Sequence, residues 1–198
     1  MTHYYSKTQT SDLQISTIQA RLRGKEIKLS SGSGVFSVKK IDRGTELLIE
    51  ECHIKNDDKV LDLGCGYGAI GVALGKSFDI ELTMTDINQR AARLAKINAK
   101  QNGVKATVKD GDMYKPVKEK KFDAILTNPP YTAGRAICYK MIEGAKDHLE
   151  ENGTLQLVAR HQKGGKTLEK KMEEVFGNVE VIGKGAGYRV YLSKNSSE

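Results

Sequence analysis

The chain has 198 residues, the size of one ordinary domain. Its 38% hydrophobic and 29% charged residues suffice for a buried core, and no run approaches the roughly eighteen apolar residues of a membrane-spanning helix. The polar start MTHYYSKTQT lacks the apolar stretch of a secretory signal.

The three cysteines, Cys52, Cys65 and Cys138, show no paired spacing, and the four histidines are scattered. That excludes a disulfide framework and a cysteine-based zinc site, so no metal is expected and the cytoplasm is the expected compartment. A balance of 32 Lys and Arg against 25 Asp and Glu, net +7, suits a polyanionic partner such as RNA and equally suits plain solubility.

In chain order, residues 1–33 carry Arg21, Arg23, Lys25 and Lys28 around little apparent apolar material, and predict an extended arm or small β-element. A catalytic domain is expected over 34–198. Gly34–Ser37 reads as a short strand and Thr45–Cys52 as a helix. Short apolar runs then alternate with helical patterns. Strands are predicted at 59–63, 80–85, 104–109, 122–127 and 154–160, and helices from Ala69, from an Asn88 N-cap to Asn102, over 133–150 and over 166–176. Residues 179–182 and 188–192 form a closing hairpin. Alternating βα units predict an α/β fold with a parallel, doubly wound, Rossmann-like sheet and one antiparallel strand.

The strongest local feature is Asp62-Leu63-Gly64-Cys65-Gly66-Tyr67-Gly68, a strand running through a glycine turn into a helix. Such a turn lets backbone N–H groups approach a ligand. Asp86, followed by Ile87, ends the next strand 22 residues after Gly64, where a carboxylate can meet ribose hydroxyls. A dinucleotide such as NAD would set its pyrophosphate against Asp62, whereas S-adenosylmethionine brings an ammonium and a sulfonium. Asp62 is therefore expected to attract that cofactor, although such an acid can also cap the adjoining helix. Asp112, with Met113 packing on the ring, is the preferred partner for adenine, and Asp110 competes for that role.

Thr127-Asn128-Pro129-Pro130-Tyr131 follows a hydrophobic strand at the same sheet edge. Two prolines fix the backbone and remove two donors. The Asn128 side-chain oxygen and the Pro129 carbonyl can accept both protons of an exocyclic amine, and Tyr131 can stack on the ring that bears it. Arg135 and the loop Arg160–Lys166 are candidates to hold phosphates, or are simply solvated. Cys65 reads as a small packing residue, and no cysteine as a nucleophile.

DLGCGYG, Asp86 and NPPY together resemble the class I S-adenosylmethionine-dependent methyltransferases that act on amino or amide nitrogens. Ser33–Ser37, Asp42–Leu48 and Asn128–Gly134 are similar to the small-domain methyltransferase family, which includes ribosomal RNA guanine-N2 methyltransferases. The resemblance implies a seven-stranded sheet of order 3-2-1-4-5-7-6 with strand 7 antiparallel. It also implies methyl transfer from S-adenosylmethionine to an exocyclic amine of an RNA base, with guanine N2 of ribosomal RNA foremost. Adenine-N6 and glutamine-N5 acceptors and a non-catalytic RNA-binding module are the alternatives. Those guanine enzymes carry two tandem halves where this chain has one, and the resemblance leaves the oligomeric state open.

Overall fold

The computed structural model describes residue 7, residues 14–37 and residues 39–196. Apart from Lys7, the part of the expected N-terminal arm before residue 14 lies outside the described residues.

From Ile15 the chain forms an antiparallel hairpin, β1 (Ile15–Leu22) and β2 (Lys25–Gly32), closed at Arg23-Gly24. Both turn residues have positive φ, 46° and 72°, the twist that two-residue hairpin turns need. This hairpin is not poor in apolar material. Ile18, Leu22, Ile27 and Leu29 are buried in one core with residues of α2 and α3. Residues 33–37 turn and bend instead of forming the expected strand.

A short helix, α1 (Arg43–Glu51), is capped by Asp42, whose carboxylate accepts from the N–H groups of Gly44 and Thr45. The βα alternation follows: β3 (Lys59–Leu63), α2 (Ala69–Ser77), β4 (Glu81–Asp86), α3 (Gln89–Gln101), β5 (Thr107–Asp110) and β6 (Phe122–Thr127). Next come α4 (Arg135–His148), β7 (Leu149–Arg160), α5 (Lys166–Phe176), β8 (Glu180–Gly185) and β9 (Tyr188–Lys194).

Helix α4 stops earlier than Asn152-Gly153 would suggest. Leu149 already pairs with Phe122, and Asn152, at φ 64°, marks a bulge inside β7 where the pairing with β6 shifts register. Strand β5 is also shorter than expected, beginning at Thr107.

Seven strands form the main sheet in the order β5-β4-β3-β6-β7-β9-β8, all parallel except β9. This is the order and polarity that the resemblance implied. Side-chain alternation along β3 feeds two cores. Val60 joins the layer of α1, α2 and α3, while Leu61 and Leu63 join that of α4 and α5. Because β4 lies on one side of β3 and β6 on the other, the connections diverge at the carboxyl end of β3 and leave a crevice there. The Thr127 hydroxyl donates to the Leu63 carbonyl at 2.8 Å and ties the ends of β6 and β3 together beneath it.

Candidate active site

The crevice holds a cavity of about 400 Å³. Its walls include Gly64–Tyr67 from the turn after β3, Asp86 and Ile87 from the end of β4, and Asp112 and Met113 beyond β5. Asn128, Pro129 and Pro130 close it after β6, together with Asp42 and Thr45 at the start of α1.

The glycine turn is held by its neighbours. The N–H groups of Gly64 and Cys65 donate to the Thr85 carbonyl at 2.8 and 2.9 Å, and Gly66 N–H donates to Asp86 Oδ2 at 2.7 Å. Gly68 is not on the cavity wall. It caps α2 at φ 89°, where a Cβ would lie 3.1 Å from Ala95 Cβ, so both backbone shape and packing demand glycine.

Asp62 stands elsewhere than expected. It is fully buried behind the turn, off the cavity wall, and its Oδ2 accepts from Gly71 N–H in the first turn of α2 at 2.9 Å. Gly68 offers no side-chain cap, so Asp62 caps α2 from the neighbouring strand. Asp62 therefore does not face the cavity, and the charge repulsion expected between it and a dinucleotide pyrophosphate does not arise there. The other oxygen, Oδ1, is buried without a hydrogen-bond partner. Burial is the main force that pushes this carboxyl up to about 7, against the Gly71 hydrogen bond that lowers it.

Asp86 lines the cavity and is raised from its ordinary value, chiefly by burial. Its Oδ1 accepts from Asn88 N–H at 2.8 Å and its Oδ2 from Gly66 N–H, which fixes the carboxylate plane and leaves further lone pairs for a ligand. Asp112 lines the cavity and pairs with Lys115 at 2.8 Å, whereas Asp110 is off the wall and accepts from Gln89. Met113 and Ile87 add apolar surface beside Asp112.

Asn128 is held from a distance in sequence. Its Nδ2 donates to Thr45 Oγ1 at 2.9 Å and to Asp42 Oδ2 at 3.3 Å. A carboxylate can only accept, so the amide nitrogen must face Asp42, and the carbonyl oxygen is what the side chain leaves for the cavity. Asp42 also accepts from the Tyr188 hydroxyl at 3.2 Å, and that hydroxyl receives a hydrogen bond from Arg160 Nε at 3.0 Å.

The two prolines form a tight turn in which Tyr131 N–H donates to the Pro129 carbonyl at 2.8 Å, with Pro130 at φ −75° and ψ 74°. The Pro129 carbonyl therefore keeps one lone pair for a ligand, not two. Tyr131 does not line the cavity. Its ring lies over Gly164, where a Cβ would come within 2.0 Å of Tyr131 Cζ.

Sequence reasoning missed the parts played by Asp42 and Thr45. Asp is a residue type that caps helix N-termini, as Asp42 does here, but nothing in the sequence marks it as a partner of Asn128. Arg135 is exposed at the start of α4, one residue before the cavity-lining Ala136. All three cysteines are buried thiols, and burial raises each of them. Among the described residues, no cluster of His, Cys, Asp and Glu could hold a metal ion, and no helix is long and apolar enough to cross a membrane.

A parallel sheet with a single reversed strand, and a cavity walled by the glycine turn, the acid after β4 and Asn-Pro-Pro, define a Rossmann-like methyltransferase fold. The chain belongs to the methyltransferase small domain family, whose profile matches residues 26–192. It is 37% identical to the Bacillus subtilis protein YbxB, covering 97% of this chain and 98% of that one. It is 34% identical to ribosomal RNA small subunit methyltransferase C of Haemophilus influenzae strain 86-028NP, covering 98% of this chain and 57% of that protein. Among solved structures, a Thermus thermophilus 16S rRNA N2 methyltransferase, RsmC, in complex with AdoMet and guanosine, superimposes with a TM-score of 0.81 at 27% identity. That match covers 93% of this chain and 51% of RsmC, so the chain spans about half the length of the rRNA methyltransferases it matches.

Proposed function

We propose that this protein transfers a methyl group from S-adenosylmethionine to the exocyclic N2 amine of a guanine in ribosomal RNA. The observation that carries the reading is the fixed Asn128 amide. Its protons are committed to Thr45 and Asp42, so its oxygen is an acceptor aimed at the cavity. An exocyclic amine is the ligand such an oxygen suits, and the relatives named for rRNA methylation supply the acceptor class.

The cavity fits the cofactor on its own chemistry. Asp86 offers lone pairs to vicinal hydroxyls, Ile87 and Met113 provide apolar faces for a flat ring, and Asp112 stands beside them to accept from an amino group. Gly64, Cys65, Gly66 and Tyr67 bring backbone close to whatever lies over the turn. S-adenosylmethionine supplies the electrophilic methyl group when bound.

The protein's part is positioning. Asn128 Oδ1 and the remaining lone pair of the Pro129 carbonyl accept the two amine protons, which turns the nitrogen lone pair away from them. The double-proline turn holds both acceptors rigid, so little reorganisation is needed at the moment of transfer. No covalent intermediate on the protein is required.

Calorimetry with S-adenosylmethionine and with NAD tests the cofactor. The reading predicts binding of the former, and tighter binding of NAD would overturn it.

A further inference from the structure

A second, shallower groove of about 380 Å³ runs between His161-Gln162, after β7, and the β8–β9 turn from Lys184 to Arg189. We propose that this groove holds the sugar–phosphate backbone of the RNA whose base enters the cavity. The proposal rests on the reading of RNA as the acceptor.

Three observations converge on it. First, cations gather here. Lys184 and Arg189 line the groove, Arg160 and Lys166 flank the loop that carries His161 and Gln162, and among the described residues none of the four takes part in an ion pair. Secondly, their charge is felt locally. His161 is held below its ordinary value, first by desolvation and then by Arg189, Lys166 and Lys184, and Glu169 opposes them from 4.0 Å. A phosphate would relieve that repulsion.

Thirdly, the groove adjoins the cavity through one side chain. Tyr188 lines the groove, and its hydroxyl donates to Asp42, which lines the cavity and accepts from Asn128. Arg160 lies over the Tyr188 ring, 5.1 Å from its centre, with Nε on the hydroxyl. Its guanidinium is thereby oriented while its terminal N–H groups stay available to a phosphate. A nucleotide flanking the target base lies within reach of this wall.

The test measures binding of a fluorescein-labelled ribosomal RNA oligonucleotide by anisotropy over a range of salt. The double variant Lys184→Glu, Arg189→Glu should bind at least about tenfold more weakly. The slope of log affinity against log salt should shrink by about 1.4, at about 0.7 for each single-strand phosphate deprived of its cation. Thermal unfolding and S-adenosylmethionine affinity check the fold, and Lys184→Gln, Arg189→Gln replaces the reversal if that variant does not fold. RNA affinity and salt slope equal to wild type in a folded variant would overturn the groove assignment. So would unchanged RNA binding with weakened binding of poly-glutamate, which would give the groove to an acidic protein. A wild-type protein that binds no RNA would remove the RNA reading, and the groove with it.

Discussion

Asn128 and Thr45 lie 83 residues apart in sequence and meet at 2.9 Å, amide nitrogen to hydroxyl oxygen. The hydrogen bond joins the end of β6 to the first turn of α1, so the helix before the sheet sets the aim of a side chain after it. Thr45→Val removes the acceptor at nearly constant shape. It should lower single-turnover methyl transfer about tenfold, the worth of one hydrogen bond of roughly 1.4 kcal/mol. Thr45→Ser should restore the rate, and cofactor affinity should stay put in both. Asn128→Ala should cost about 10²–10⁴-fold. A Thr45→Val protein with the wild-type rate would show that the amide needs no such support.

Asp86 is assigned the cofactor's ribose hydroxyls. Asp86→Ala should weaken S-adenosylmethionine by about 1.5–3 kcal/mol, the range for a hydrogen bond to a charged group. The same carboxylate holds Gly66 N–H, so the glycine turn should also loosen and amide exchange there should quicken. Calorimetry and hydrogen exchange read the two effects separately. Unchanged affinity would place the ribose elsewhere.

The buried Asp62 gives stability a pH dependence of defined sign. Its carboxyl titrates at about 7 in the folded protein and at about 4 in the unfolded chain. Between these values the folded state holds a proton that the unfolded state has lost. The group's contribution is therefore fully present below about pH 4 and is lost as pH rises through about 7, a change on the order of 4 kcal/mol. Asp62→Asn removes the titration. Urea unfolding of both proteins between about pH 4.5 and 8 should show wild type losing stability relative to the variant as pH rises, and parallel curves would contradict the assignment.

Gly164, at φ 107°, lies under the Tyr131 ring. Gly164→Ala must displace that ring as well as strain the backbone. It should destabilise the protein by about 1–3 kcal/mol and shift the Asn128–Tyr131 turn, weakening acceptor binding more than cofactor binding. Thermal unfolding and separate titrations of each ligand would check this. An unchanged melting temperature would mean that Tyr131 does not depend on the close approach.

Much of this was legible in the sequence because it is local. Phe122–Thr127 and Lys166–Phe176 have the bounds that their hydrophobic patterns indicate, and Asn88 caps α3 as its position before the helix suggests. Asp86 was recognisable because its place depends only on a strand, a turn and a helix in succession. What could not be read depends on distant chain segments. The roles of Asp42 and Thr45 arise only when α1 folds across to the end of β6. Whether Asp62 faces a ligand or a helix N-terminus turns on which side of β3 it occupies, and the residue type is the same in both cases. The β1–β2 hairpin did carry a signal. Ile27 and Leu29 alternate with charged neighbours after Arg23-Gly24, but the charges mask an apolar face that needs α2 and α3 to cover it.

Guanine-N2 methylation is tested most directly by nucleoside mass spectrometry of ribosomal RNA from cells lacking the gene, before and after incubation with purified protein and isotopically labelled S-adenosylmethionine. Label is expected in N2-methylguanosine, and Asn128→Ala should lower its rate of appearance about 10²–10⁴-fold. Label in methyladenosine or in a protein amide, or no transfer to any RNA or ribosomal particle by folded, cofactor-binding protein, would contradict the assignment.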